Sequence, residues 1–227
     1  MKSPLVPAPV HRLGGGNVHV WILDLAVLGR QEVELLKYLD ESERDRARRF
    51  ISSRESERFS LFRAAFRQML GWYASCDPRR LELVRNRNGK PAGRVIESGG
   101  GSRDLSNLAF NYSHSHDFAV FAIARVADLG VDVEKVRLPN AIATLMEHFF
   151  LPQESAVVLA SPPESQGELF CRLWTRKEAV VKSFGGSLAE WIGVIDVHGE
   201  ADQLILRHAQ LPTLHLRDIP VVSGYSA

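Results

Sequence analysis

The run Gly130-Val131-Asp132-Val133-Glu134 constrains this chain more than any other stretch of its sequence. In an extended backbone, residues two apart leave the same face, about 6–7 Å from one another. Val131 and Val133 are then expected in a core, with Asp132 and Glu134 outward together. Two neighbouring carboxylates raise each other's proton affinity unless a cation offsets them. Such a cluster of hard oxygens suits Mg²⁺, which binds carboxylates together with waters and phosphate oxygens. A strand with one solvated face gives the same pattern, so the run carries chemistry only beside a second cluster.

Leu173-Trp174-Thr175-Arg176-Lys177-Glu178-Ala179-Val180-Val181-Lys182 supplies it. The pattern is helical, and Glu178 and Lys182, four apart, project from one face. Trp174 stands one turn before them, while Leu173, Val180 and Phe184 mark a different, buried stripe. Exposed helices often carry such Glu–Lys pairs. Beside two acids, the pair also fits a carboxylate for a metal and an ammonium for a phosphate. A third element, Asn111-Tyr112-Ser113-His114-Ser115-His116, runs from a strand end into a loop. Its hydroxyl, imidazole and backbone N–H groups suit a phosphate, and His114-x-His116 also has the spacing of a transition-metal pair. His116 by itself reads as a polar surface residue.

The periodicity places these motifs. Val18–Leu23 reads as a strand buried on both faces, too apolar for alternation. Helices are predicted over 31–50 and Arg54–Trp72, the second with Phe59, Phe62, Phe66, Met69 and Leu70 inward. Leu81–Val84 reads as a strand before a turn at Arg87–Pro91, and Glu97–Arg103 as a flexible loop. Strand-like segments follow at Leu108–Tyr112, Phe118–Ala124 and Gly130–Glu134. Helices are expected at Ile142–Phe150, Glu154–Ala160 and Glu168–Phe184, with a Pro/Ser loop over Ser161–Gly167. Short strands at Ile195–His198, Leu204–Arg207 and Leu214–Arg217 form a closing meander. Gly224-Tyr225-Ser226-Ala227 reads as the opening of one more strand, so a longer C-terminus is expected. The fold class is α+β, in two similar lobes joined near Ala124–Leu129. The divisions are a disordered leader (1–16), an N-terminal lobe (17–124) and a C-terminal lobe (125–227) carrying the acids.

With 28 basic and 27 acidic residues the net charge is +1, which excludes a bulk polyanion surface and with it nucleic acid as a partner. Two cysteines without a CxxC partner fit a reducing compartment, and with no membrane-length apolar run or signal peptide the chain is expected in the cytoplasm.

In order, Ser113-His114-Ser115, Gly130–Glu134 and Trp174–Lys182 resemble the signatures of Sfp-type 4′-phosphopantetheinyl transferases, whose VGIDIE-like strand and WxxKE(A/S)xxK helix lie about 40 residues apart. Here Asp132 and Glu178 are 46 apart. Weaker likeness covers nearly the whole chain. Glu43–Phe50 looks like the family's basic helix, Arg58 falls at a coenzyme A contact, Gly89-Lys90-Pro91 matches a GKP turn, and Phe149-Phe150 before Glu154 matches FFxxxE. Two departures are His116-Asp117 where the family often has Gly, implying a differently shaped loop, and Glu43 where some members have lysine.

The resemblance implies a pseudo-twofold pair of α/β lobes with the active site in the cleft between them. It implies transfer of the 4′-phosphopantetheine arm of coenzyme A to a serine of an apo acyl, peptidyl or aryl carrier protein, as in fatty acid, polyketide or nonribosomal peptide biosynthesis, with release of 3′,5′-ADP. Asp132, Glu134 and Glu178 would hold Mg²⁺, with Mn²⁺ a substitute. Lys182 would neutralise the leaving phosphate. Arg58, Lys90, Ser113 and His114 would grip the nucleotide, and the serine's base falls to Glu178 or Glu154. A monomer suffices. On residues alone two other readings stay open: a metal-dependent phosphohydrolase using His114, His116 and Asp132, and a carrier-binding module without turnover. The complete Asp132, Glu134, Glu178 and Lys182 set argues against the latter.

Overall fold

Leu61, Phe62, Phe66, Met69 and Leu70 are buried in one core because the helix that carries them lies across a three-stranded sheet, while Phe59, also buried, packs on Phe50 and Arg46. The computed structural model describes residues 8–9, 12–30, 32–85, 89–125, 128–199, 204–208 and 210–227. In chain order the elements are β1 (Val18–Asp24), α1 (Leu25–Gly29), α2 (Glu32–Leu36), α3 (Glu41–Arg48), α4 (Ser53–Ala74), β2 (Leu81–Arg85), β3 (Pro91–Ile96) and β4 (Ser102–Asp104). Then follow β5 (Ala109–Ser115), β6 (Phe118–Ala124), β7 (Glu134–Lys135), α5 (Ile142–Phe149), α6 (Pro152–Leu159), α7 (Pro163–Phe184), α8 (Leu188–Trp191), β8 (Leu204–His208), β9 (Leu211–Leu216) and β10 (Tyr225–Ser226). The architecture is α+β. No helix among the described residues is long and apolar enough to cross a membrane.

The first core is α4 against the antiparallel sheet β1-β6-β5, with Phe66 stacked on Phe121 at 5.3 Å. β1 is not buried on both faces. His19 and Trp21 turn toward α4, where both bond the Tyr73 hydroxyl, at 2.8 and 2.9 Å, whereas Val18, Val20 and Ile22 stay more than a third exposed. The expected leader, 1–16, falls partly outside the described residues, but Leu13 already packs on this core.

The helix predicted over 31–50 is two. Asp40 starts α3 by accepting the Glu43 N–H at 2.8 Å, and the Glu43 carboxylate accepts the Asp40 N–H at 3.1 Å. Fully buried Arg67 then binds both acids and the Leu81 carbonyl, so the break is locked from α4. Glu97–Gly101 forms the tight turn of the β3–β4 hairpin, with Gly100 at positive φ and Ser102–Asp104 a strand. Of the turn at Arg87–Pro91, residues 87–88 lie outside those described.

The second core gathers on α7, with Phe170, Leu173, Val180 and Val181 against Met146, Phe150, Val158, Ile195 and Val197. This helix begins at Pro163, not Glu168, since proline's missing N–H costs nothing in a first turn. Ile195–His198 is not a strand, because side chains take its backbone groups. Glu154 accepts the Val197 N–H at 2.9 Å, Lys177 donates to the Ile195 carbonyl at 2.6 Å, and Arg176 donates to that of Val197 at 2.9 Å. The meander is therefore the β8–β9 hairpin, and β10 pairs instead with β7.

Within Gly130–Glu134 only Glu134 is laddered, yet Val131 and Val133 are buried against Val120 and Ala122 of β6. The segment is held by packing and by Gly130. A Cβ there would lie 1.9 Å from the Ala179 carbonyl oxygen and 2.6 Å from the Ser183 nitrogen of α7. Gly130→Ala should therefore destabilise the protein by about 1–3 kcal/mol, lowering Tm by about 2–4 °C for each kcal/mol. An unchanged melting curve would show that the segment moves freely off the helix.

Candidate active site

Alternation along β5 sends Asn111, Ser113 and Ser115 toward the Gly130–Glu134 segment and Phe110, Tyr112 and His114 toward α4. The buried Asn111 amide donates to the carbonyls of Leu129, at 3.2 Å, and Lys182, at 3.3 Å, tying three segments together. Beside it the Ser113 hydroxyl donates to Asp132 Oδ1 at 2.7 Å, and the Ser115 hydroxyl to Glu134 Oε2 at 2.8 Å.

Lys182 closes this arrangement from α7. Its ammonium reaches Asp132 Oδ1 at 2.5 Å, Ser113 Oγ at 3.2 Å and Glu178 Oε2 at 3.3 Å. Burial acts to lower its pKa, but the Asp132 and Glu178 carboxylates outweigh this and hold it above the usual lysine value. Asp132 is pushed up from 3.8 to about 6, first by burial and then by the charge of Glu178, against the pull of Lys182. Its Oδ2 is buried with no hydrogen-bond partner.

That lone oxygen tests the fit of a cation. Among the described residues no three acid, His or Cys side chains already stand around one point, and the ammonium occupies the middle of the cluster. The donor set still fits a hard divalent ion. Asp132 offers a desolvated oxygen without a partner, and added positive charge would relieve the penalty on its ionised form.

The other candidates fall in different places. Lys90 pairs with Asp128 at 3.1 Å and lines, with Lys182, Arg85 and Tyr112, a cavity of about 250 Å³. An adjoining cavity shares Arg85, Pro91 and Tyr112 and adds Arg46 and Arg63, so one basic groove runs from Lys182 across the β5–α4 side. His114 exposes much of its surface, but its ring packs 4.7 Å from Phe62; partial burial, then Lys182 and Arg46, lower its pKa. Arg58 lines neither cavity and binds Asp117.

Glu154 is not brought to the cluster at all. It is fully buried, 2.8 Å from the equally buried Lys177, and accepts the Leu151 and Val197 N–H groups. A carboxylate so enclosed has no route to a partner's hydroxyl, so its part is to hold the second core. Glu43 likewise spends its carboxylate on Arg63 and Arg67. Trp174 packs among Phe149, Phe150 and Phe170 rather than at the acids. Sequence reasoning named Asn111 and Gly130 within their motifs and Arg46 within the basic helix without giving any of them its own part, and it missed the groove arginines Arg63 and Arg85.

Comparison with known proteins assigns the chain to a family. The profile described as 4′-phosphopantetheinyl transferase superfamily matches residues 128–221, and that described as 4′-phosphopantetheinyl transferase, N-terminal, matches 29–125. The 4′-phosphopantetheinyl transferase HetI of Nostoc sp. strain PCC 7120 is 33% identical over 176 residues, covering 77% of this chain and 71% of HetI. The chain belongs to the 4′-phosphopantetheinyl transferase family. Other phosphopantetheinyl transferases align over less of their own length. AcpT of Salmonella typhimurium is 36% identical over 135 residues, 60% of this chain and 65% of AcpT. Psf-1 of Bacillus pumilus is 30% identical over 161 residues, 70% of this chain and 64% of psf-1.

The raised pKa of Asp132 has a measurable consequence. Its carboxyl binds a proton more tightly folded than unfolded, so the stability it contributes is full below pH 3.8 and is lost as the pH rises through about 6. In the presence of a chelator, the wild type should lose melting temperature across that window relative to Asp132→Asn. Parallel profiles for the two proteins would show that Asp132 ionises freely.

Proposed function

We propose that this phosphopantetheinyl transferase moves the 4′-phosphopantetheine arm of coenzyme A to a serine hydroxyl of an apo acyl or peptidyl carrier protein and releases 3′,5′-ADP. The observation that carries the reading is the position of Lys182. Its ammonium touches Asp132, Ser113 and Glu178 and lines the groove that holds Lys90. The two cores are read as two lobes, 17–124 and 125–227, with coenzyme A in the groove at their junction. Two cores and two profile matches dividing between 125 and 128 support that reading.

Arg58, Lys90, Ser113 and His114 bind the nucleotide, with Arg46, Arg63 and Arg85 lining the groove beside Lys90. As the serine oxygen bonds to phosphorus and the bond to ADP breaks, Lys182 neutralises the phosphate, and Glu178, which keeps some exposure, takes the serine's proton. Asp132, Glu134 and Glu178 would hold Mg²⁺, or Mn²⁺, whose charge would offset that of the pyrophosphate. The chain acts as a monomer in the cytoplasm, where its free thiols at Cys76 and Cys171 stay reduced.

Mass spectrometry of apo carrier proteins incubated with the chain, coenzyme A and Mg²⁺ should show the added arm. Lys182→Met should keep the fold and lower kcat by roughly 10²–10³, whereas loss of a mere surface ion pair costs about 0.3–0.5 kcal/mol of stability and no activity. Near-normal kcat would demote α7 to scaffold. His114→Ala should raise KM for coenzyme A more than for its 3′-dephospho form, since the extra phosphate adds charge-assisted hydrogen bonds; equal effects would remove His114 from that phosphate.

A further inference from the structure

We propose that Asn111 is a positioning residue for the transfer: by bridging the Leu129 and Lys182 carbonyls it fixes the distance at which Lys182 meets Asp132. The inference rests on the transferase reading above.

Asn111 is only 3% exposed, and both of its amide hydrogens are spent. Nδ2 donates to the Leu129 carbonyl at 3.2 Å and to the Lys182 carbonyl at 3.3 Å, while Oδ1 accepts the Tyr112 N–H at 2.8 Å. The residue lines the same cavity as Lys90 and Lys182, but it has no donor left to offer a ligand. Its effect on the chemistry therefore passes through the groups it holds.

Both carbonyls need that bond. Helix α7 ends at Phe184, and the Gly186 N–H, which a continuing helix would give to the Lys182 carbonyl, goes to that of Val181 at 3.2 Å. The Lys182 carbonyl is left to Asn111. Leu129 stands just before Gly130, in a stretch with no ladder until Glu134 among the described residues. The register of β5 against this stretch is set by side chains instead: Asn111 to Leu129, Ser113 to Asp132 and Ser115 to Glu134. Ser113 and Ser115 bond carboxylates, whose contacts change when the site is loaded. Asn111 bonds main chain at both ends, so it keeps the acid run and α7 together while the contacts around it are exchanged. A displacement of about 1 Å at such a junction costs on the order of a hundredfold in rate.

The test compares Asn111→Ala, Lys182→Met and the double variant with the wild type. Steady-state kinetics on one apo carrier, run well below the lowest melting temperature of the four, are paired with calorimetric binding of 3′,5′-ADP in the presence of a chelator. Asn111→Ala should lower kcat about tenfold to a hundredfold, while KM for coenzyme A and Kd for ADP stay within about twofold. In the Lys182→Met background the same substitution should cost less than about threefold, because a residue that acts through Lys182 then has nothing to position. The proposal is overturned if folded Asn111→Ala keeps kcat within about twofold of the wild type, as a bond serving stability alone would allow. A loss as large with Lys182→Met as without it overturns it too. So does an ADP affinity that falls about tenfold or more, which would make Asn111 a nucleotide contact. Should Asn111→Ala fail to fold, Asn111→Ser, which keeps a shorter donor, is read by the same criteria. A wild type that modifies no carrier would sink the transferase reading and this one with it. Transfer by the wild type with any of the three overturning results sinks this one alone.

Discussion

A contact between backbones governs this site: Gly130 lies against the Ala179 carbonyl and Ser183 nitrogen of α7 with no room for a side chain. Because the extended segment touches the helix there, Asp132, two residues on, meets Lys182, one turn beyond Glu178. Asn111 fastens the same junction from β5 by bonding both partners' carbonyls. Every polar contact of the cluster follows from how closely those three segments approach.

Helix α7 shows how one motif divides its labour. Arg176 turns inward to Asp218 and the carbonyls of Val197 and Gly199, and Lys177 turns to Glu154 and the carbonyls of Ile192 and Ile195. A buried charge is tolerated only when its hydrogen bonds are met, and here they are met by backbone that would otherwise need a sheet. Glu178 and Lys182, a turn away, keep partial exposure and one another. The same helix therefore closes a core with two cations and presents a third, Lys182, to the groove with Glu178 paired behind it.

Much of this was legible in the residues. Alternation in Val131-Asp132-Val133-Glu134 survives although most of the run pairs with no strand, because burial of the valines, not a ladder, enforces it. The i,i+4 pair of α7 and the inward face of α4 also follow from periodicity. What periodicity hides is competition for backbone groups. Nothing near Ile195–His198 says that Glu154, Arg176 and Lys177 will take its amides and carbonyls. The break before Asp40 was readable as an Asp-x-x-Glu cap, but its permanence comes from Arg67, more than twenty residues on. Arg58 shows the same limit at the site, since its partner Asp117 is 59 residues away.

The separations across the junction say something about how the molecule comes into being. Asn111 and Lys182 are 71 residues apart, Ser113 and Lys182 69, Asp132 and Lys182 50. Local helices and hairpins form within short loops, whereas contacts across such distances must wait for the entropy of long-loop closure to be overcome. The site is thus a late product of folding, absent from any collapsed state in which either core is still loose. A nascent or partly unfolded chain is silent toward its substrates, and the appearance of activity marks completion of the fold.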